Sequence, residues 1–324
     1  MNATTFLVGL VSGVASAALS TVLGTGSILS LILFLFAPLP IFIAALGWRH
    51  HAGLVGSVVG ASILAAAMGL DTARGYALSV GFPGWWLAYL ALLGQPADPG
   101  RPETGMTWYP VGRLIVWTAA IGSALVLLTL LMHGGSVEDY RASLRTTFEH
   151  FLRVETETPK DAIVTLPGGA DASRIIELGV LLLPPLAAAL WTSVSLVNLW
   201  AAGRIVRASG RLVRPWPDLA AFRLPPLTLL AFIGGLGFSA IPGLFGFAAG
   251  VIGAAFTIPF AALGLALLHM GTRGRSARTL TLGAAYFLLF VQNWLIVVIA
   301  ALGVVEFLFG LRARMQAPPP DSNR

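Results

Sequence analysis

The chain has no cysteine and little charge: Asp, Glu, Lys and Arg make up only 10% of its 324 residues. The first absence excludes disulfides, thiolate metal sites and cysteine nucleophiles. The second excludes an ordinary soluble domain, in which about 25% of residues are charged. Also missing are a His-Glu-x-x-His metal motif, a Gly-x-x-x-x-Gly-Lys phosphate loop and any obvious pair of carboxylates. No catalytic set, metal or cofactor is therefore expected, and the chain is not read as an enzyme. Within the apolar runs charge almost vanishes, since Glu177, His133, His269 and Glu306 all lie near run ends. A charge at mid-bilayer costs about 2.5–3.5 kcal/mol on insertion scales, and where it occurs it marks proton relays and ion pathways. Its scarcity argues against proton-coupled transport and ion conduction.

What is abundant is apolar length. The chain is 56% hydrophobic with a mean hydropathy of +0.83. Apolar blocks recur at 4–24, 27–47, 52–70, 75–94, 113–133, 175–202, 225–245, 247–270 and 279–312. At about 20 apolar residues per crossing, they imply roughly eight to ten spans. In lipid only helices or a closed barrel satisfy the backbone, and barrel strands are about ten residues long with alternating polarity. These blocks are twice that length and continuously apolar. The expected fold is all-α, a polytopic transmembrane bundle. The last block is too long for one perpendicular helix through a core of roughly 30 Å. It is either one tilted helix running out of the membrane or two shorter segments broken at Gln292-Asn293.

Ala15-Ser-Ala17 mimics a signal-peptidase site, but there is no positive n-region before it, so the segment reads as the first span. Counting one span per block places eleven arginines on the N-terminal side: Arg49, 101, 113, 204, 207, 211, 214, 223, 273, 275 and 278. The other side receives six basic residues, Arg74, 141, 145, 153, Lys160 and Arg174, mostly in one long loop. The bias puts the N-terminus in the cytoplasm. It also accounts for the net charge of +6 without a nucleic-acid partner.

The expected organisation is one membrane domain over 1–314, with an extramembrane loop, 134–174, inserted and a disordered tail, 315–324. The loop opens with Ser136-Val-Glu-Asp139, a capping box for an amphipathic helix in which Tyr140, Leu144, Phe148 and Phe151 recur at helical spacing. Its remainder, through Pro159 and Leu166-Pro-Gly-Gly169, reads as loop.

Several constellations stand out. Gly9, Gly13, Ala17 and Thr21 fall at spacings of four, and Gly56 with Gly60, and Gly246 with Gly250, repeat the pattern. Such faces let another helix approach closely, either within this chain or from another protein. Arg204, Arg207, Arg211 and Arg214 fall along one face of a helix that leaves the membrane and is stopped by Pro215-Trp-Pro217, either as attraction for anionic headgroups or as a contact for a partner. Pro38, Pro40, Pro184-Pro185, Pro242 and Pro259, with 37 glycines, suggest irregular helices around a cavity. The polar and aromatic groups that could surround a small organic ligand there are Trp85, Trp86, Tyr89, Trp191, Asn198, Gln292 and Asn293. Glu306 has Arg312 and Arg314 as possible partners.

The runs Ser30-Leu-Ile-Leu-Phe-Leu-Phe-Ala-Pro-Leu-Pro-Ile-Phe-Ile-Ala-Ala-Leu-Gly-Trp48, Gly81-Phe-Pro-Gly-Trp-Trp-Leu-Ala-Tyr-Leu90, Asn198-Leu-Trp-Ala-Ala-Gly-Arg-Ile-Val206 and Leu302-Gly-Val-Val-Glu-Phe-Leu-Phe-Gly-Leu-Arg-Ala-Arg314 resemble, in this order, the YybS-like bacterial membrane proteins, a domain-of-unknown-function family, in a form like that of alphaproteobacteria. That family is distantly similar to the substrate-binding S-components of energy-coupling-factor vitamin transporters. The resemblance implies a bacterial inner-membrane subunit that binds or passes a small organic molecule, has no ATPase of its own, and docks an energising ATPase module through Gly13 and Ala17. This chain is longer than the usual six-helix S-component, and no ligand residue carries over. The alternative reading is a membrane scaffold that recruits other proteins through its small-residue faces and the Arg204–Arg214 segment. Either way the bilayer itself is a partner.

Overall fold

The computed structural model describes residues 2–22, 27–98, 105–156, 164 and 172–316. It is helical almost throughout. The helices are α1 (Ala3–Thr21), α2 (Ile28–Leu35), α3 (Leu39–Trp48), α4 (His50–Met68), α5 (Leu70–Tyr76), α6 (Phe82–Ala91), α7 (Val111–Met132), α8 (Val137–Glu155), α9 (Ser173–Ala208), α10 (Leu227–Phe238), α11 (Gly243–Gly271), α12 (Arg278–Val291), α13 (Leu295–Phe309) and α14 (Leu311–Gln316). A π-helical turn, Ala77–Gly81, joins α5 to α6, and a two-stranded antiparallel ribbon pairs Gly94–Pro96 with Met106–Trp108. Among the described residues six stretches are long and apolar enough to cross a membrane: Ala3–Thr21, Ile28–Trp48, His50–Met68, Val111–Met132, Ser173–Ala208 and Gly243–Gly271.

The last apolar block is two helices. It breaks where Gln292 leaves helical geometry, at Gln292-Asn293, so the two-segment alternative holds. The block at 225–245 departs from the expected single span. Its helix α10 has 12 residues, about 18 Å, and ends in a turn before Pro242. Gly243, with φ of 81°, then starts α11, earlier than the pattern at 247 suggests. Pro184, Pro185 and Pro259 lie inside continuous helices, whereas Pro38 and Pro40 interrupt a span and Pro242 falls in the turn between α10 and α11.

The chain divides into two compact units, one of residues 1–121, 192–225 and 258–324, the other of 122–191 and 226–257. In the first, α1 packs on α4 through small residues. A Cβ on Gly13 would stand 2.6 Å from the Gly56 carbonyl oxygen, and one on Gly9 would stand 2.7 Å from the Val55 Cβ. Ser12, Ser16 and Ala17 are buried on the same face. Close backbone approach of this kind drives helix association in lipid. The face read as either internal packing or docking is internal packing.

The second span needs polar help. Pro38 and Pro40 cannot donate, and the backbone there tightens to Ala37→Phe34 and Leu39→Phe36 bonds, which strand the Leu35 and Ala37 carbonyls. Asn198 Nδ2 of α9 donates to the Leu35 oxygen at 2.8 Å. Ser16 Oγ of α1 donates to the Ala37 oxygen at 2.6 Å and accepts from Tyr76 Oη at 2.8 Å. Ser57 Oγ likewise donates to Gly81 at the π turn, at 2.8 Å. In lipid, where no water can pair these groups, such bonds are what make a broken helix tolerable.

In the second unit, α8 is amphipathic as its sequence suggests. Ser136 Oγ accepts from the Asp139 N–H at 3.0 Å, which caps the helix. Tyr140 is buried with Leu130 and Val137, its ring edge-on to Phe247 at 5.7 Å. Leu144, Phe148 and Leu152 pack on Ile176 and Val180 of α9. Phe151, expected in that stripe, is 58% exposed, because the buried face follows a spacing of four to Leu152. Gly235 of α10 and Gly253 of α11 touch backbone to backbone. Of the segments read as loop or tail, 157–163, 165–171 and 317–324 lie outside the described residues.

Candidate functional site

Helix α9 ends at Ala208, seven residues short of Pro215. Gly210, with φ of 70°, closes it. Its N–H bonds to the Arg207 carbonyl and the Arg211 N–H to that of Val206, the paired bonds of a left-handed cap. Arg204 and Arg207 are therefore helical but Arg211 and Arg214 are not, and the four do not share one helical face as their spacing suggested. Instead the non-helical segment 209–225 lies across one end of the first unit, and its side chains grip the helix ends there. Arg211 sits over the Trp48 ring, 4.6 Å from its centroid. Arg204 and Arg207 lie 5.9 and 5.6 Å from the ring of Trp216. Arg214 donates to the Ala91 carbonyl at 3.0 Å, and burial lowers its guanidinium from the ordinary value. Asp218 pairs with Arg273 at 3.2 Å.

At this end the last helices make a second fixed point. Glu306 and Arg312 form a 2.7 Å ion pair whose side chains are 5% and 8% exposed. Gly310, in the left-handed region with φ of 59°, reverses the chain between them and lets Glu306 also accept the Arg312 backbone N–H at 3.0 Å. The guanidinium further donates to the carbonyls of Ala220 and Phe222. Every polar group of the pair is thus satisfied, the condition under which buried charge is tolerated. Of the two partners open to Glu306, Arg312 is the one used.

A cavity of about 470 Å³ opens beside this pair. Leu224, Leu263, Met270 and Phe307 supply apolar walls, and Arg223, Glu306 and Arg312 the charged ones. With Glu306 neutralised by Arg312, the exposed Arg223 leaves the lining positive on balance. Its lining is about evenly polar and apolar, and its volume falls in the range of small-molecule sites.

The residues expected to surround a ligand are not there. Trp85, Trp86 and Tyr89 do cluster, on α6. Trp85 Nε1 is 3.4 Å from His50 Nδ1, and Trp86 meets Trp117 edge-on at 5.8 Å. Trp117 Nε1 in turn donates to Tyr109 Oη at 2.9 Å. This is an aromatic band of the kind that anchors helix ends at a membrane surface. Asn198 is 1% exposed and committed to Leu35 and Val194. Gln292 and Asn293 are exposed at the α12–α13 break, where Gln292 Oε1 accepts from Trp294 Nε1. Trp191 belongs to the other unit and is half-buried. The set is dispersed because polarity along the chain does not encode proximity in space, and Gln292 and Asn293 mark a helix break. The cavity's charged residues carried a fainter signal, a lone glutamate in the last apolar block six residues before an arginine, with a glycine between.

The helices and their lipid-length apolar runs define a polytopic α-helical membrane protein. Residues 14–306 match the family described as Predicted membrane protein (DUF2232), and the chain belongs to that family. No curated protein and no solved structure matches the chain.

Proposed function

We propose that the chain is a small-molecule-binding subunit of a bacterial inner membrane, without an ATPase of its own, whose ligand is a small organic anion held in the cavity at the arginine-rich end. The cavity beside Glu306–Arg312 carries this reading, through its volume, its mixed polar and apolar walls and the unneutralised Arg223. The arginine bias makes that end cytoplasmic, so the ligand exchanges with the cytoplasm. The resemblance to YybS-like proteins and to S-components agrees with a binding or transport role. The docking route of S-components does not transfer as it stands, because Gly13 and Ala17 face inward within this chain. An energising partner would contact another surface.

A scaffold is the second reading, favoured by the exposed Arg204 and Arg207. Affinity purification of the tagged protein from native membranes in mild detergent, with mass spectrometry of co-purifying proteins, separates the two. Recovery of an ABC-type ATPase with a membrane coupling subunit supports the binding subunit. Recovery of envelope or cytoplasmic proteins without an ATPase, lost on Arg204→Gln and Arg207→Gln, supports the scaffold.

A further inference from the structure

A second hollow in the first unit has a different character. It is a groove of about 430 Å³ between α1 and α3, lined by side chains such as Leu7, Val11, Leu19, Leu39, Ile43 and Trp48, with almost no polar surface. From Leu7 to Leu19 it runs twelve residues along α1, about 18 Å, or somewhat more than one leaflet of a core of roughly 30 Å. The α3 wall ends at Trp48, and over that ring stands the guanidinium of Arg211. Arg211 is exposed and has no ion pair among the described residues. Greasy length with an unneutralised cation at one end is the complement of a phospholipid. Basic sites beside transmembrane helices at a membrane surface bind anionic headgroups, each arginine there adding about 1 kcal/mol.

We propose that this groove is a site for one anionic glycerophospholipid of the leaflet at the arginine-rich end, an acyl chain lying between α1 and α3 and the phosphate against Arg211. The chain choice follows from the near absence of polar lining, and the headgroup choice from Arg211. A zwitterionic lipid would set its own ammonium beside that guanidinium. The site is separate from the cavity beside Glu306–Arg312 and stands or falls without it.

The test uses full-length protein in nanodiscs of equal parts phosphatidylglycerol and phosphatidylethanolamine, released into mild detergent and examined by native mass spectrometry. Wild type is expected to retain one phosphatidylglycerol. Arg211→Gln, a change at an exposed residue outside the helices, should shift retention toward phosphatidylethanolamine by about fivefold. Ala15→Phe, which places a ring in the groove, should lose both lipids. Equal retention of the two lipids by wild type, or retention unchanged in Arg211→Gln, would overturn the proposal. So would efficient disulfide dimerisation of a Val11→Cys variant in membranes, which would assign the groove to a second copy of the chain.

Discussion

The amide of Asn198 reaches the carbonyl of Leu35 across 163 residues of sequence, and the bond closes a span that proline has broken. A membrane-spanning helix with Pro38 and Pro40 in it is tenable here because α9 and α1 lend donors at the height of the break. Replacing Asn198 with Leu removes the donor and leaves a buried carbonyl unpaired. The variant should lose about 1–2 kcal/mol of stability, measured as a lower thermal midpoint in detergent. Ser16→Ala should behave similarly through Ala37, and Tyr76→Phe should cost less, since Ser16 keeps its own bond to the break.

The packing of α1 on α4 makes a sharper prediction. A side chain at Gly13 would meet the Gly56 carbonyl and the β-branched Val59, neither of which can move aside cheaply. Gly13→Leu should destabilise the isolated protein by about 1–3 kcal/mol. Were this face a free docking surface, the same change would leave the isolated protein's thermal midpoint unaltered and weaken only partner binding.

Glu306 and Arg312 should be unequal to each other's loss. Arg312→Met strands a carboxylate that is almost wholly buried, and a stranded buried charge costs about 3–5 kcal/mol. Adding Glu306→Gln should recover much of that loss, because no charge is then left unpaired. A double-mutant cycle followed by thermal unfolding in detergent measures the coupling.

Much of this was open to a reading of the chain alone. Apolar block length suffices for the helices, because the bilayer leaves a backbone few other options. Ser136 and Asp139 announced the start of α8, and the glycine spacing marked faces for close approach without saying that α4 is the partner of α1. Other features depend on partners distant in sequence. Nothing local to Asn198 says that its acceptor is Leu35, so a buried polar residue read as a ligand contact is a brace. Nothing in the spacing of Arg204, Arg207, Arg211 and Arg214 shows that Gly210 ends the helix between the second and third of them, and the cavity needs α11, α13 and the 209–225 segment together.

The sidedness inferred from the arginines is testable because the chain has no native cysteine. Ser209→Cys and Thr146→Cys each place one thiol on an exposed residue outside the spans. In intact cells a membrane-impermeant maleimide should label the Thr146 variant and spare the Ser209 variant until the membrane is opened. The opposite pattern would put the arginine-rich end, and the cavity with it, outside.

What the purified protein carries tests the account most directly. Wild-type protein and Ala221→Trp, which puts an indole into the cavity from an exposed lining position, are purified in mild detergent. Each is extracted with organic solvent, and the small molecules are quantified by mass spectrometry. The account predicts a small organic anion at near-equimolar amount in wild type and its depletion in Ala221→Trp, with the fold of both confirmed by matching thermal midpoints. The same compounds in both proteins at equal amounts, or no small anion in the wild type, would contradict a ligand site beside Glu306–Arg312.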